Sequence, residues 1–358
     1  MALTGAMSAG ISGLKAHMDA LNVVGNNVAN VNTQGYKPGR VTFMESIYST
    51  QSAGSAGTAT VGGTNPRQTG YGVGIGTIDL DMSSRSLDST GRGMDCAIQG
   101  DGFFLVGDKT HDIDSMDALK GLTLTRVGNF EFRDGYLTDG QGNVVYGFIT
   151  RSNGDAPGTT PGDKPSTDLV PIRLPMKSTD PNSKGDAVYV GVDNQTGANV
   201  YPDNDPAATV DGFVDLENIS IDKNGKITGT NKDTGDPVVV GYIALGSVEN
   251  LNGVLHTEGP YYTAGDAAGD IRVGTPGNSV TGNLRNDKIT DGNNVVDPDS
   301  ALAEGSGATL MTGFLEASGT DLATELANMI IYQRGYQANT RIVTVTDTML
   351  EELVNMKR

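Results

Sequence analysis

Apolar residues near the start of the chain recur at alternating steps of three and four, which is the spacing of one face of an amphipathic helix. The residues on this face are Ile11, Leu14, Met18, Leu21, Val24, Val28 and Val31. The stripe ends in the sequence NNVANVNTQGYK, residues 26–37, and Pro38 disfavours helical backbone at the residue before it. We therefore predict an N-terminal helix within residues 1–35.

A second helical stripe occupies the other end of the chain. Its apolar members are Leu322, Leu326, Met329, Tyr336, Val343, Leu350 and Val354, with Gln333, Thr340 and Asp347 at positions between them. Only the weak helix former Gly335 interrupts the pattern. We predict one long helix within residues 318–358.

Between the two helices, short β-type segments alternate with turn signals. Residues 71–148 include FFLV and LTLTRV, and we predict that they form the first part of an antiparallel β domain that resumes at 241–317. Residues 149–240 are predicted to be a turn-rich β insert, and 36–70, with few large apolar residues, an extended connector. The predicted fold class is mainly β with long terminal α-helices and a discontinuous β domain.

Each terminal helix has an apolar face but no core of its own, so that face must be buried elsewhere. The simplest arrangement pairs the N- and C-terminal helices in a coiled-coil-like unit, and apolar residues on the flanks of the pair then contact other copies of the chain. The alternative is that both stripes form the core face of an ordinary globular domain. The pattern alone leaves both arrangements open.

Charge and hydropathy limit the possible partners. The 358 residues carry a formal net charge of -18, which opposes binding to nucleic-acid backbones and to acidic membrane surfaces. No apolar run is long enough to cross a bilayer. No cleaved signal sequence is visible at the N-terminus, so we expect export, if it occurs, to use another route.

The sequence motifs do not support an enzyme, a cofactor site or a metal site. GYGVGIG lacks the spacing of a dinucleotide-binding loop. Asp112, Asp114 and Asp117 do not fit a calcium loop, because no Glu follows at the required position. We expect His17 to be a polar-face or interface residue, and the single Cys96 to pack as a small apolar residue at the start of a strand.

The segment NNVANVNTQGYK resembles the Asn-rich signature at the N-terminus of the bacterial flagellar rod and hook proteins. QRGYQAN and TDTMLEELVN resemble the other end of the same family, and AIQGDGFFLV and GYIALGSVENLNGVLHTEGPYYT resemble segments of its β domain. Within this family, the insert at 149–240 and the ending ELVNMKR favour a hook subunit. A distal rod subunit, or distantly a β-rich extracellular binding or adhesin domain, is the alternative.

The resemblance implies a structural subunit of the bacterial flagellum without catalytic activity. Such subunits pass through the flagellar export apparatus without a cleaved signal and assemble outside the cell into a curved, flexible tube that transmits torque from rod to filament. The implied partners are further copies of the chain in a helical homopolymer, the distal rod protein, the hook cap and the hook-filament junction proteins. The terminal helices would form the inner wall, and the insert would form an outer domain.

The predicted polymerisation interface lies on the two terminal helices. Its members are Ile11, Leu14, Met18, Leu21, Asn26, Asn27, Val28, Asn30, Asn32, Leu322, Leu326, Met329, Gln333, Tyr336, Val343 and Leu350. We expect the asparagine amides, which both donate and accept hydrogen bonds, to satisfy backbone groups at the helix end. They would do so without introducing a charge that is repeated from subunit to subunit.

Overall fold

The computed structural model describes most of the chain. The described residues are 2–57, 60, 62–109, 119–151, 164–179, 184–185, 187–188, 191–192, 199–200, 210–278, 290–291, 294–295 and 308–356. The stretch that contains Asp112, Asp114 and Asp117 lies outside them.

Within these ranges the chain forms two long helices, α1 (Ala2–Ala29) and α2 (Leu322–Met356), and 28 short strands. The strands are β1 (Gly39–Glu45), β2 (Tyr48–Ser52), β3 (Arg67–Gly70), β4 (Val73–Leu80), β5 (Leu87–Ser89), β6 (Cys96–Gln99), β7 (Phe103–Gly107), β8 (Thr123–Thr125), β9 (Glu131–Arg133), β10 (Tyr136–Thr138), β11 (Val144–Arg151), β12 (Lys164–Pro171), β13 (Met176–Ser178), β14 (Ala187–Val188), β15 (Gly191–Val192), β16 (Asn199–Val200), β17 (Val210–Phe213), β18 (Leu216–Ile221), β19 (Lys226–Asn231), β20 (Pro237–Ile243), β21 (Leu245–Val248), β22 (Val254–His256), β23 (Tyr261–Ala264), β24 (Ile271–Gly274), β25 (Thr290–Asp291), β26 (Asn294–Val295), β27 (Thr309–Thr312) and β28 (Phe314–Glu316). The chain is therefore mainly β with a helix at each end, as its sequence predicts.

The chain divides into two compact units. Unit 1 consists of Met1–Thr33, Lys37–Asp81 and Ser318–Arg358, and unit 2 consists of Gln34–Tyr36 and Met82–Ala317. Unit 1 therefore contains both helices and β1 to β4, and unit 2 contains the remaining strands.

Helix α1 ends at Ala29, inside the predicted limit of residue 35. The backbone N–H of Asn30 donates to the carbonyls of Asn26 and Asn27, both at 3.2 Å, and the N–H of Thr33 donates to Asn30 at 3.1 Å. These bonds tighten the last turn and stop the helix.

Helix α2 is continuous over 35 residues and passes through Gly335 without a break, as predicted. Asp321 caps its first turn, because the Asp321 Oδ1 accepts a hydrogen bond from the N–H of Ala323 at 3.1 Å. The Thr324 hydroxyl donates to the other Asp321 oxygen at 2.5 Å. At ~1.5 Å per residue the helix is about 50 Å long.

The predicted extended connector supplies β1, β2 and β3 of a two-stranded ribbon, which we call the β arm (β1 to β4). β1 pairs with β4 and β2 pairs with β3, both antiparallel. The arm therefore extends to Leu80 and includes the segment TIDL, which the sequence pattern had assigned to the β domain. Thr42 and Thr77 join its strands, because their hydroxyls lie 2.7 Å apart.

Unit 2 is built on an antiparallel sheet of thirteen strands, with β18, β19, β20, β11, β7, β8, β23 and β22 in this order along its main path. Phe103–Val106 in β7 are all fully buried, which agrees with the continuous apolar run FFLV. The core packs apolar residues from many strands, among them Ile98, Phe104, Phe130, Val145 and Ile243.

Strands from both ends of unit 2 pair with each other: β6 with β27, and β5 with β28. The predicted insert at 149–240 is not separate throughout, since β12 and β18 to β20 belong to the large sheet. Among the described strands of this range, β13, β14 and β17, which form a three-stranded sheet, and the hairpin β15–β16 lie outside it. The sequence boundaries were misplaced because turn-rich composition does not reveal which sheet a strand joins.

Cys96 begins β6 and is fully buried, which confirms the prediction for this residue. Burial, with the Asp95 carboxylate as a smaller cause, raises the pKa of the Cys96 thiol well above its usual value. Across the described residues, neither helix is long and apolar enough to cross a membrane.

We predict that Cys96 of the native protein resists an aromatic disulfide reagent at mildly alkaline pH, because the thiol is both inaccessible and protonated. Reaction should become complete after unfolding in guanidinium chloride. The measurement is the absorbance of the released thiolate over time. Rapid reaction of the native protein would contradict the buried position.

Candidate assembly surface

The face of α1 that is buried within unit 1 consists mainly of small residues. Its fully buried members are Gly10, Gly13, Ala16, Ala20, Val24 and Asn27, which follow one another at steps of three or four. Of the predicted apolar stripe, Val24 belongs to this buried face, whereas the other members of the stripe within α1 lie on another face: Ile11 and Met18 are 39% and 44% exposed, and Leu14, Leu21 and Val28 are half-buried. The prediction that α1 buries this stripe against the other helix is therefore wrong for Ile11 and Met18.

Helices α1 and α2 contact each other in antiparallel directions. The close pairs are Gly10 with Val343, Gly13 with Asn339, His17 with Gly335, and Asn27 with Glu325. A Cβ atom at Gly13 would lie 2.7 Å from Nδ2 of Asn339, and one at Gly335 would lie 2.6 Å from the ring of His17. These glycines thus allow an approach that a larger residue would prevent.

The face of α2 towards α1 follows a heptad pattern, which we call the α2 seam. Its partly or fully buried members are Glu325, Met329, Tyr332, Tyr336, Asn339, Val343, Thr346 and Leu350, at alternating steps of four and three. Of the predicted α2 residues, Met329, Tyr336, Val343 and Leu350 lie on this seam, whereas Leu322, Leu326 and Gln333 are exposed. Hydrophobic periodicity missed Glu325, Asn339 and Thr346 because they are polar.

Asn27 is 1% exposed and connects three elements of unit 1. Its Nδ2 donates to the carbonyl of Gly39 at 2.8 Å and to Glu325 Oε1 at 3.2 Å. Its Oδ1 accepts from the N–H of Gly39 at 3.0 Å. One amide therefore ties α1 to the first residue of β1 and to the first turn of α2, a role within the chain that the sequence pattern did not indicate.

The other asparagines of the cluster lie at the end of α1. Asn30 Nδ2 donates to the carbonyl of Asn26 at 2.9 Å, and the Ser318 hydroxyl donates to the carbonyl of Asn30 at 2.9 Å. Asn26 and Asn32 are exposed. Asn27 and Asn30 thus satisfy backbone groups as expected, and contacts of the cluster with other copies remain a prediction.

Glu325 is the ionisable member of this network. Burial raises the pKa of the Glu325 carboxyl, the hydrogen bond from Asn27 acts in the opposite direction, and the Asp321 carboxylate adds to the rise. Its Oε2 is buried and has no hydrogen-bond partner in the described part of the chain. The ionised form of Glu325 is therefore disfavoured where α1 meets α2.

His17 packs in an aromatic cluster with Phe43 of β1 and Tyr332 of α2. The ring centroids lie 5.4 Å apart for His17 and Phe43, 6.2 Å for His17 and Tyr332, and 5.8 Å for Phe43 and Tyr332. Gly335 leaves the space that the His17 ring occupies. The described residues contain no group of His, Cys, Asp and Glu side chains that could hold a metal ion.

Unit 1 leaves many large apolar side chains exposed. On α2 they include Ile330, Ile331, Ile342, Val345, Met349, Leu353, Val354 and Met356, and on the β arm they include Met44, Ile47, Tyr48 and Tyr71. Ile47 is 78% exposed and Ile331 is 60% exposed. Apolar surface of this extent on a folded protein marks an interaction site.

Two protein-family models match the ends of the chain. The model described as Flagella basal body rod protein matches residues 7–37, and the one described as Flagellar basal body rod FlgEFG protein C-terminal matches residues 311–356. The first range includes most of α1 and the asparagine cluster, and the second contains all of α2. All of α2 and most of α1 therefore lie in matched segments.

Similar proteins extend the match to nearly the whole chain. The flagellar basal-body rod protein FlgG of Bacillus subtilis is 31% identical over 357 residues, covering 98% of this chain and 97% of that protein. The flagellar hook protein FlgE of Salmonella typhimurium is 27% identical over 428 residues, covering 98% and 99%. The flagellar hook protein FlgE of Borreliella burgdorferi is 25% identical over 472 residues, covering 97% and 98%.

We predict that Gly335→Ala destabilises unit 1 by about 1–3 kcal/mol, because the new methyl group overlaps the His17 ring. The matched control is Gly25→Ala on α1, where a Cβ atom meets no heavy atom within 4 Å. That change should be neutral or mildly stabilising, since alanine favours the helix. The stability of both variants is measured by the loss of helical circular dichroism on heating. Equal stability of the two variants would contradict the close packing at Gly335.

We predict that Glu325→Gln stabilises unit 1 at neutral pH, because the folded state raises the pKa of this carboxyl and so favours its protonated form. Glutamine resembles that form at every pH. The advantage should shrink as the pH falls through the folded-state pKa of Glu325 and vanish below its unfolded-state pKa. Unfolding of the helices, measured for both proteins across this acid range, tests the prediction. A stability advantage of Glu325→Gln that grows as the pH falls would contradict it.

Proposed function

The chain belongs to the family of flagellar rod and hook proteins, and we propose that it is a structural subunit of the flagellar hook that assembles into a curved, flexible tube and transmits torque from rod to filament. Its axial partners are then the distal rod protein, the hook cap and the hook-filament junction proteins. Export through the flagellar apparatus to the cell exterior, without a cleaved signal, is part of the same proposal.

The observation that carries the assembly proposal is the exposed apolar stripe of α1. We call Met7, Ile11, Leu14, Met18 and Leu21 the α1 stripe; its members are exposed or half-buried and follow steps of four and three. The helix packs on α2 through another face, so this stripe is left for a further partner. Fully burying a large apolar side chain contributes about 1.5–3 kcal/mol, and a row of them gives association a strong driving force.

The proposal also includes a discontinuous β domain, formed by unit 2, in each subunit. Pairing of β6 with β27 and of β5 with β28 supports it, because the chain leaves and re-enters the β region through neighbouring strands. We propose that the strands outside the large sheet, β13 to β17, contribute the inserted outer domain. Coiled-coil-like pairing of α1 and α2 is supported by the heptad spacing of the α2 seam.

A distal rod subunit is the second candidate, favoured by the 31% identity to the rod protein FlgG of Bacillus subtilis. Electron microscopy of polymers grown from the purified chain separates the two functions. A hook subunit should form a tube that curves and adopts several curvatures in one preparation. Straight, stiff tubes would favour the rod, and absence of any tube under all assembly conditions would contradict both.

We predict that the double substitution Ile11→Asp with Met18→Asp abolishes tube formation, because it places two charges on the α1 stripe. The matched control is Gln337→Asp with Thr344→Asp, two exposed positions on α2 that are also seven residues apart. Both variants should keep the helical and β circular dichroism of the unaltered chain. Sedimentation and electron microscopy after induced assembly give the readout, and tubes of normal yield from the α1 variant would contradict the role of the stripe.

A further inference from the structure

Residues 34–36, which we call the clip, belong to unit 2, although the segments before and after them in the chain belong to unit 1. The backbone N–H of Gly35 donates to the carbonyl of Glu316 at 2.9 Å. Gly35 has a φ of +67°, and a Cβ atom there would lie 2.7 Å from Cγ2 of Val127 and 3.5 Å from the carbonyl carbon of Arg126. Glycine therefore allows the clip to lie directly on the backbone of unit 2.

The two residues whose backbones contact the clip also face each other through their side chains. The side chains of Arg126 and Glu316 are both 1% exposed, and Nε of Arg126 lies 4.0 Å from Oε2 of Glu316. Arg126 Nη1 donates to the carbonyl of Gly100 at 3.0 Å, and its Cζ lies 5.6 Å from the centre of the Phe103 ring. Glu316 Oε1 accepts a hydrogen bond from the N–H of Arg85 at 3.3 Å. The buried ion pair thus connects the end of β28 with the segments that precede β5 and β7.

The geometry of this ion pair does not favour the stability of unit 2. Burial lowers the pKa of the Arg126 guanidinium, and the carboxylates of Glu316 and Asp101 offset only part of this effect. The 4.0 Å between Nε of Arg126 and Oε2 of Glu316 is too long for a hydrogen bond. Replacing a buried ion pair by apolar residues of similar volume is often neutral or stabilising. Stability therefore does not explain why two charges are buried at this place.

A buried ion pair differs from an apolar pair in the arrangements that it allows. Apolar side chains can repack in several ways at similar free energy, whereas a buried guanidinium and carboxylate must stay beside each other. Gly35 bonds to the backbone of Glu316 and packs on the backbone of Arg126. Fixing these two side chains relative to each other therefore also fixes the space in which Gly35 lies.

We propose that the buried pair of Arg126 and Glu316 is a positioning lock, which holds the clip on unit 2 in one arrangement and does not add to the stability of unit 2. The clip lies in the chain between α1 and the β arm, so the lock fixes one point of that connection on unit 2. It acts within a single subunit and does not depend on the assembly proposed above.

The test replaces the ion pair by apolar residues, in the double variant Arg126→Met with Glu316→Leu, and measures two quantities in the dilute subunit. The first is the melting temperature of unit 2, followed by β circular dichroism. The second is the rate of hydrogen exchange at the Gly35 amide, followed by nuclear magnetic resonance. The matched control is Arg133→Met with Glu131→Leu, which removes an ion pair at 3.1 Å whose side chains are 50% and 55% exposed.

We expect the double variant to melt at the same temperature as the unaltered chain or higher, while its Gly35 amide exchanges roughly tenfold faster or more. The amide of Ile172, which is buried and bonded to the carbonyl of Val145 at 2.9 Å, should keep its protection. Faster exchange at Gly35 alone separates release of the clip from unfolding of unit 2. The control should change neither quantity.

The single variant Arg126→Met completes the cycle. It leaves the Glu316 carboxylate buried without the opposite charge of Arg126, so it should melt below both the unaltered chain and the double variant. A melting temperature of Arg126→Met at or above that of the double variant would overturn the proposal, because the two charges would then not be coupled.

Two results for the double variant would also overturn the proposal. A lower melting temperature than that of the unaltered chain, or failure to fold, would show that the pair serves stability. Unchanged exchange at Gly35 in a folded double variant would show that the clip is held without the pair.

A measurement on the unaltered subunit needs no substitution. Its Gly35 amide should exchange about as slowly as the Ile172 amide, because the lock holds both in the same folded unit. Fast exchange at Gly35 beside a protected Ile172 would overturn the proposal. Since every measurement uses the dilute subunit, its outcome is independent of whether the chain forms tubes.

Discussion

The close antiparallel contact between α1 and α2 is the constraint on which the rest of unit 1 depends. α1 makes it with glycine and other small residues, and α2 makes it with a seam that includes Glu325, Asn339 and Thr346. Such a contact fixes the register of the helices through steric fit and hydrogen bonds. Large apolar residues such as Ile11 and Met18 of α1 and Ile331 and Val345 of α2 remain exposed outside it, and burying them requires other chains.

The polar groups at the contact fix the register of α1 relative to α2. Asn27 hydrogen-bonds to Gly39 and Glu325, so the end of α1, the start of the β arm and the first turn of α2 are held together by one side chain. At the other end of the contact, Gly10 lies against Val343. A one-residue shift would separate Asn27 from its partners and place side chains opposite Gly13 and Gly335 that these sites cannot accept.

The sequence predicted the helices and strands more accurately than it predicted which face of each helix is buried. Both helices, the continuous α2 and the buried strand at FFLV follow from periodicity and apolar runs, and the Asn-rich segment marked the end of α1. Periodicity placed Ile11 and Met18 inward because it assumes that an apolar stripe faces the core of its own chain. Here mainly small residues of α1 face the paired helix, and Gly13 and its partner Asn339 carry no hydrophobic signal that could have shown this. The β arm was missed for a related reason, since its strands pair by backbone bonds and have no core.

Amide hydrogen exchange along α1 and α2, compared between the dilute subunit and the assembled tube, tests the central claim most directly. If contacts with neighbouring copies bury the exposed apolar faces of these helices, the helix amides should exchange quickly in dilute solution and become strongly protected in the tube. The core strands of unit 2 should be protected in both states. Full protection of both helices in the dilute subunit, with no gain on assembly, would contradict the account.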